Sequence, residues 1–158
     1  MSPATSTVRT HRVAVPAQVA ETSEARKADY STAVRLDGGP GASPEQWARG
    51  CLEGAPGWLR AMLVLGWTKG LRLRLGPRRS PTTVLGWYVI ASTDQQATIS
   101  AGSPLLECQH HFVRDGDTIT WVTVVRTHTK VGRLLWRAIA PGHELSMPIL
   151  LKRASRLA

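Results

Sequence analysis

In the run LLECQHHFV (residues 105–113), a thiol and an imidazole, Cys108 and His110, stand two residues apart. If the run is a strand, alternation puts Leu106, Cys108, His110 and Phe112 on one face and Glu107, Gln109, His111 and Val113 on the other. A thiol beside an imidazole is the pairing of a nucleophile with its base, or of two metal ligands. No orienting acid accompanies the pair, and structural zinc takes four ligands. The spacing therefore predicts neither a metal site nor catalysis by this pair. A second histidine, His143, lies between Pro141 and Pro148. Each proline removes a backbone donor from a helix and frees a carbonyl one turn earlier. The commoner role for an imidazole there is to donate to such a carbonyl; the functional one is a polar group at the mouth of a cavity.

Carboxylates for acid–base work are missing from the expected interior. Asp94, Asp115 and Asp117 fall at turns, where Asp suits the backbone geometry, and Glu107 falls on the outer face of its strand. Proton transfer would be left to His110, Tyr88 or water. The chain has no P-loop, no GxGxxG, no HExxH and no GxSxG. The residues thus assign no catalytic group and no cofactor, and they favour binding over catalysis.

The composition places the chain among globular domains. Its 158 residues are 42% hydrophobic and suffice for one domain with a sizeable core. Six Trp stand against two Tyr and one Phe, large rings suited to a core or to the walls of an apolar pocket. Cys51 and Cys108 match no disulfide or metal framework, and the N-terminus does not read as a secretory signal; a cytoplasmic location with reduced thiols is expected. No apolar run reaches the ~20 residues of a membrane span. The net charge of +9 is concentrated in two blocks. Residues 60–79 hold Arg60, Lys69, Arg72, Arg74, Arg78 and Arg79 with no acid, and residues 126–158 hold seven basic residues against Glu144 alone. Their aromatics are Trp set in apolar helices, not rings displayed on a sheet, which disfavours nucleic acid. A solvated basic surface is the ordinary reading, and association of "LRLRLGPRR" and "LLKRASR" with anionic lipid is the functional one.

The elements that must position these groups follow from local pattern. Residues 1–28 lack a sustained period and read as a poorly ordered arm with one extended piece at "HRVAVP". "DYSTAVRL" reads as a first strand, closed by "DGGPGA". Ser43, Pro44 and Glu45 give an N-cap, a first-turn proline and a first-turn acid, so a helix should run to Gly54. A second helix, from Trp58 to about Lys69, is apolar around its circumference and is expected to be buried. "LRLRLGPRRSP" reads as an extended exit. Four β-rich runs follow from Thr82, separated by turn signals of which "RDGD" is the clearest. From Thr129 a long helix reaches the C-terminus, with a break expected near Pro141 to His143 and resumption before Leu150.

This order is α+β, with helices gathered on one face of an antiparallel sheet. The segments SPEQWARGCLEGAPGWLRAML, VLGWYVIAS and GRLLWRAIAPGHELSMPILLKRA, the last with a Trp-x4-Pro-x-His-x4-Pro-x-Leu-Leu layout, resemble the SRPBCC (START-like, helix-grip) superfamily over residues 29–157. They are most similar to a poorly characterised bacterial family found alone or fused behind NAD(P)-binding reductase-like domains. The resemblance implies a helix-grip domain over residues 29–158: a curved sheet wrapped around a long kinked C-terminal helix, with two short helices between the first strand and the meander. It also implies an apolar cavity, and a reductase-like protein as a partner.

The expected function is binding of a small apolar or amphipathic molecule between sheet and helix. Walls are expected from Trp58, Met62, Trp87, Phe112, Trp121, Trp136 and Ile139, with Tyr88 and His110 as polar contacts inside and His143 at the mouth. The alternatives are an enzyme of the cyclase or hydratase kind acting on a polyketide-like substrate, and a basic protein that associates with anionic lipid.

Overall fold

The computed structural model describes residues 7–39 and 41–157. Eight antiparallel strands form one sheet: β1 (Arg9–Val13), β2 (Tyr30–Asp37), β3 (Arg79–Ser80), β4 (Thr83–Val84), β5 (Trp87–Ser92), β6 (Gln96–Gly102), β7 (Leu106–Asp115) and β8 (Thr118–Thr127). Their order is β1-β2-β8-β7-β6-β5-β4-β3, so the meander from β3 to β8 closes onto the N-terminal pair. The turn between β7 and β8 is the two residues Gly116 and Asp117, with Gly116 at φ +59°, where glycine carries no steric penalty. Helices α3 (Pro44–Leu52) and α4 (Gly57–Leu65) fill the connection between β2 and β3. A long helix, α5 (Lys130–Leu157), packs against the sheet, which is the helix-grip arrangement.

Local chemistry explains why these elements start where they do. The Ser43 side chain accepts from the Gln46 N–H while Gln46 returns a bond to the Ser43 N–H, a complete capping box, and Pro44 opens the helix. Trp47, Ala48, Cys51 and Leu52 give α3 one buried face. Arg49 ties that helix to the β3–β4 hairpin: it pairs with Glu45 at 2.8 Å and Glu53 at 3.1 Å and donates to the carbonyls of Ser80, Pro81 and Thr83. At the start of α5, a Cβ on Gly132 would collide with the Leu105 carbonyl oxygen, so the helix reaches the sheet only with glycine there. The buried residues of α5, among them Trp136, Met147, Leu150, Leu151 and Ala154, recur at helical spacing.

Three expectations are corrected here. The extended piece expected at "HRVAVP" overlaps β1, which pairs along β2, but residues 7–28 as a whole are not a loose arm, because α1 (Ala17–Ala20) and α2 (Ser23–Arg26) cover the sheet's outer face. Val19, wholly buried, joins Ala33, Val113, Val122 and Val124 in a second apolar cluster there. The reach of the expected arm that includes residues 1–6 lies outside the described residues, as does Pro40 of the "DGGPGA" turn. The break in α5 is absent, because the helix runs unbroken from Lys130 to Leu157 through both prolines. Pro141, Gly142 and Arg137 are solvent-exposed, so the carbonyl that Pro141 leaves without a donor lies on a side where water can serve it. Finally, α4 is not a buried helix. Val64 is its one fully buried residue, and the chain continues from it into a π-helical turn, Gly66–Gly70. Beyond that, Leu71 and Leu73 are buried while Arg72 and Arg74 are exposed, as alternation requires, although no strand forms there.

Candidate functional site

A pocket of about 320 Å³ lies between α4 with its π-helical turn, the inner face of the sheet, and α5. The period of two along the strands delivers Trp87 from β5 and Cys108 and His110 from β7. The helical period delivers Trp136, Ile139, His143 and Ser146 from α5, and Leu59, Met62 and Leu63 close the opposite side from α4. Trp67, in the π-helical turn, packs edge-on against Trp87 with ring centroids 5.4 Å apart. Single π-type turns within helices are often found at functional sites. The walls are overwhelmingly apolar, and polar atoms converge at one place only.

That place is a bridge across the floor. Register sets His110 on β7 directly opposite Thr123 on β8, and Phe112 opposite Trp121. The Thr123 hydroxyl lies 2.8 Å from His143 Nε2 and 3.1 Å from His110 Nδ1, joining sheet to helix through one oxygen. Trp121 Nε1 donates to His110 Nδ1 at 3.0 Å. An indole N–H only donates, so Nδ1 is the acceptor nitrogen of His110 and the proton of its neutral ring resides on Nε2, which lies 3.9 Å from Cys108 Sγ. The Thr123 hydroxyl has a single proton. Either it donates to His110 Nδ1 while accepting from His143 Nε2–H, or it donates to His143 Nε2.

Burial keeps this cluster uncharged. Desolvation drives His110 far below the ordinary imidazole range, and the neighbouring His143 and His111 add to that depression. Desolvation brings His143 down to about 4 against the pull of Glu144 in the other direction. The Cys108 thiol is pushed up by its complete burial, so it is not a nucleophile at neutral pH. At neutral pH the two imidazoles act as hydrogen-bonding groups, not as charges. Beside them, Tyr30 donates to Glu144 at 2.6 Å and Arg12 pairs with the same carboxylate at 3.1 Å, which fastens α5 to β1 and β2 next to His143. Burial, followed by the bond to Glu144, raises the Tyr30 phenol above its ordinary value. The indole nitrogens of Trp87 and Trp136 are buried and have no hydrogen-bond partner among the described residues.

The structure brings Met62, Trp87, His110, Trp136, Ile139 and His143 of the expected site into this one pocket. It places four others elsewhere. Trp58 projects from α4 with 69% of its surface exposed. Tyr88 follows Trp87 directly in a strand and therefore faces the other way; it packs against Gly76 and is 47% exposed. Phe112 and Trp121, stacked at 5.2 Å and almost wholly buried, form the layer behind His110 and do not line the pocket. His143 does not cap a freed carbonyl, because its Nε2 is engaged by Thr123. The expected site lacked several wall residues, among them Leu59, Leu63, Trp67 and Ser146. Ser146 stands one helical step beyond His143, a spacing that would have signalled it. Nothing in the sequence marks Thr123 among the other Thr and Val residues of its strand. Cys51 and Cys108 are both free and buried. No group of three or more His, Cys, Asp or Glu among the described residues is placed to hold a metal ion. Nor is any described helix long and apolar enough to cross a membrane.

Fold and pocket together define a small helix-grip domain with an apolar pocket lined by neutral imidazoles. The chain belongs to the family described as "Protein of unknown function (DUF2867)", whose model matches residues 24–149. Among solved structures, CalU16 from Micromonospora echinospora is similar over 94% of this chain and 85% of that one, at 12% identity and a TM-score of 0.38. Curated proteins yield no match.

Proposed function

We propose that this protein binds one small apolar or amphipathic molecule in the pocket between α4 and α5. The observation that carries the reading is the chemistry of the walls. Apolar side chains make up most of the wall around a volume of about 320 Å³; the few polar ones are His110, His143, Ser146 and the Cys108 thiol, and the Thr123 hydroxyl joins the two imidazoles. Many apolar walls with a few convergent polar groups make up the usual composition of a small-molecule site. The SRPBCC likeness of the sequence supports the same reading, and a reductase-like protein would be its natural partner.

The test uses Gly142. It lines the pocket on the exposed side of α5, and a Cβ built there meets nothing within 4 Å. Gly142→Trp therefore fills the mouth without disturbing the core. Nile red should brighten on binding the parent protein and should not respond to Gly142→Trp; equal titration curves would refute the reading.

A second reading, an enzyme of the cyclase or hydratase kind, draws on the two imidazoles in the pocket. Against it, a histidine with a pKa of about 4 is a weak base at neutral pH, and the pocket's cysteine is held as a thiol. Turnover of a β-polyketone thioester mimic that is abolished by His143→Gln would favour it over binding alone.

A further inference from the structure

Helix α4 carries large apolar residues on its outside. Trp58, Met62 and Leu65 recur at spacings of four and three, which places them in one stripe. Met62 is 60% and Leu65 59% exposed, close to the value for Trp58. Scattered apolar residues on a surface need no explanation, but a contiguous stripe marks a contact. The stripe also adjoins the pocket. Met62 belongs to both, and Ile139, 37% exposed on α5, lines the same pocket.

The charge around the stripe has one sign. Lys69, Arg72, Arg74, Arg78 and Arg79 are exposed, and residues 60–79 contain no acid. On the flank of α4 away from the apolar pocket, Arg60, Arg78 and Arg79 line a second depression of about 520 Å³. Its one acid, Glu53, is already held by Arg49 at 3.1 Å and by the Leu85 N–H. Neither Arg78 nor Arg79 makes an ion pair with another described residue. The depression is therefore a net cationic site whose acid is spoken for.

We propose that α4 is the contact with an anionic membrane. Trp58, Met62 and Leu65 enter the interfacial layer, and the Arg60–Arg78–Arg79 depression takes the phosphate of an anionic lipid headgroup. Tryptophan suits that layer because it is amphipathic, and basic side chains are drawn to an anionic surface. An unbroken run of cations without acids complements a diffuse sheet of phosphates better than the mixed charge of a protein partner. In this orientation the mouth between α4 and α5 opens onto the lipid, so an apolar ligand passes between bilayer and pocket without crossing water. That last consequence rests on the pocket reading above; the docking does not.

Vesicle cosedimentation tests it. The parent protein should bind vesicles of phosphatidylcholine mixed with phosphatidylglycerol, leave pure phosphatidylcholine unbound, and lose binding as salt rises. Arg78→Gln with Arg79→Gln should weaken binding by about tenfold or more. Trp58→Ser with Leu65→Ser should abolish it while leaving the thermal midpoint unchanged, since both residues are exposed and neither lines the pocket. Failure to bind anionic vesicles overturns the proposal, as does binding that survives both variant pairs. A concentration-dependent dimer lost in Trp58→Ser with Leu65→Ser, without vesicle binding, would assign the stripe to a second copy and also overturn it. Nile red uptake measured without vesicles separates the two claims. Dye uptake without vesicle binding overturns the docking alone, and vesicle binding without dye uptake overturns the pocket reading and leaves the docking standing.

Discussion

Replacing Thr123 by Val keeps the shape of the side chain and removes the oxygen that joins β8 to α5. Two bonds to nitrogen disappear, to His143 Nε2 at 2.8 Å and to His110 Nδ1 at 3.1 Å, together with a longer one to Met147 Sδ at 3.9 Å. They are not equivalent. His110 Nδ1 retains the indole of Trp121 at 3.0 Å, whereas His143 Nε2 has no other hydrogen-bond partner among the described residues. One nitrogen is thus stranded, which costs about 1–3 kcal/mol, partly offset because a buried hydroxyl no longer has to be desolvated. A net loss of about 1–2 kcal/mol corresponds to a fall of about 2–8 °C in the thermal midpoint for a chain of this length. The decisive form of the experiment is a double-mutant cycle with His143→Leu, read by urea unfolding. If Thr123 acts through His143, the two losses should be non-additive by about 1 kcal/mol, with the m value unchanged. A neutral Thr123→Val, or strictly additive losses, would refute the bridge.

Other expectations follow from the same geometry. His143 and His111 each fall from an ordinary 6.5 to about 4 in the folded protein, chiefly through burial. The unfolded chain therefore binds more protons than the folded one between these values, and the stability present above about pH 6.5 should drain away as the pH falls toward 4, by up to about 3 kcal/mol for each histidine; a urea midpoint that stays flat from pH 7.5 to 4.5 would contradict this. Arg49→Lys should release the β3–β4 hairpin from α3 at a cost of about 1.5–3 kcal/mol, because an ammonium cannot reproduce the fork that serves two carboxylates and three carbonyls; amide exchange at Thr83 and Val84 is the readout. Gly142→Ala should raise stability by about 0.5–1 kcal/mol, since the position is helical, exposed and open around its Cβ, and thermal unfolding will show it. Cys51 and Cys108 should remain unmodified by a thiol reagent at pH 8 until the protein unfolds, both being completely buried with raised pKa values.

The plan of the fold was legible because its signals are local and redundant. Alternation marked β7, the Asp-Gly turn marked its hairpin with β8, the Ser43–Pro44–Glu45 start marked α3, and sheer length marked α5. The errors have physical causes. Apolar density in α4 was read as burial, yet density alone does not say what covers a helix, and here Trp58 and Leu65 face outward. Each proline in α5 costs a helix about 3 kcal/mol when weighed alone, but the carbonyl that Pro141 frees lies on an exposed side and the packing of Trp136, Met147 and Leu151 holds the helix together. The N-terminal segment carries too little periodicity to announce itself, and it is ordered by pairing with β2, a contact the linear chain does not display. Within the site, alternation already excluded Trp87 and Tyr88 from sharing a face. Thr123 was beyond the sequence's reach, because its role depends on the register of β7 with β8 and on the placement of a helix twenty residues later.

If the pocket between α4 and α5 is a binding site, a ligand should travel with the protein. Native mass spectrometry on protein purified gently from cells, or incubated with a mixed lipid extract, measures this directly. One bound molecule of small apolar or amphipathic mass is expected on the parent chain, ejected at modest collision energy and absent from Gly142→Trp. The bare mass for the parent under both conditions, or the same adduct on both proteins, would contradict it.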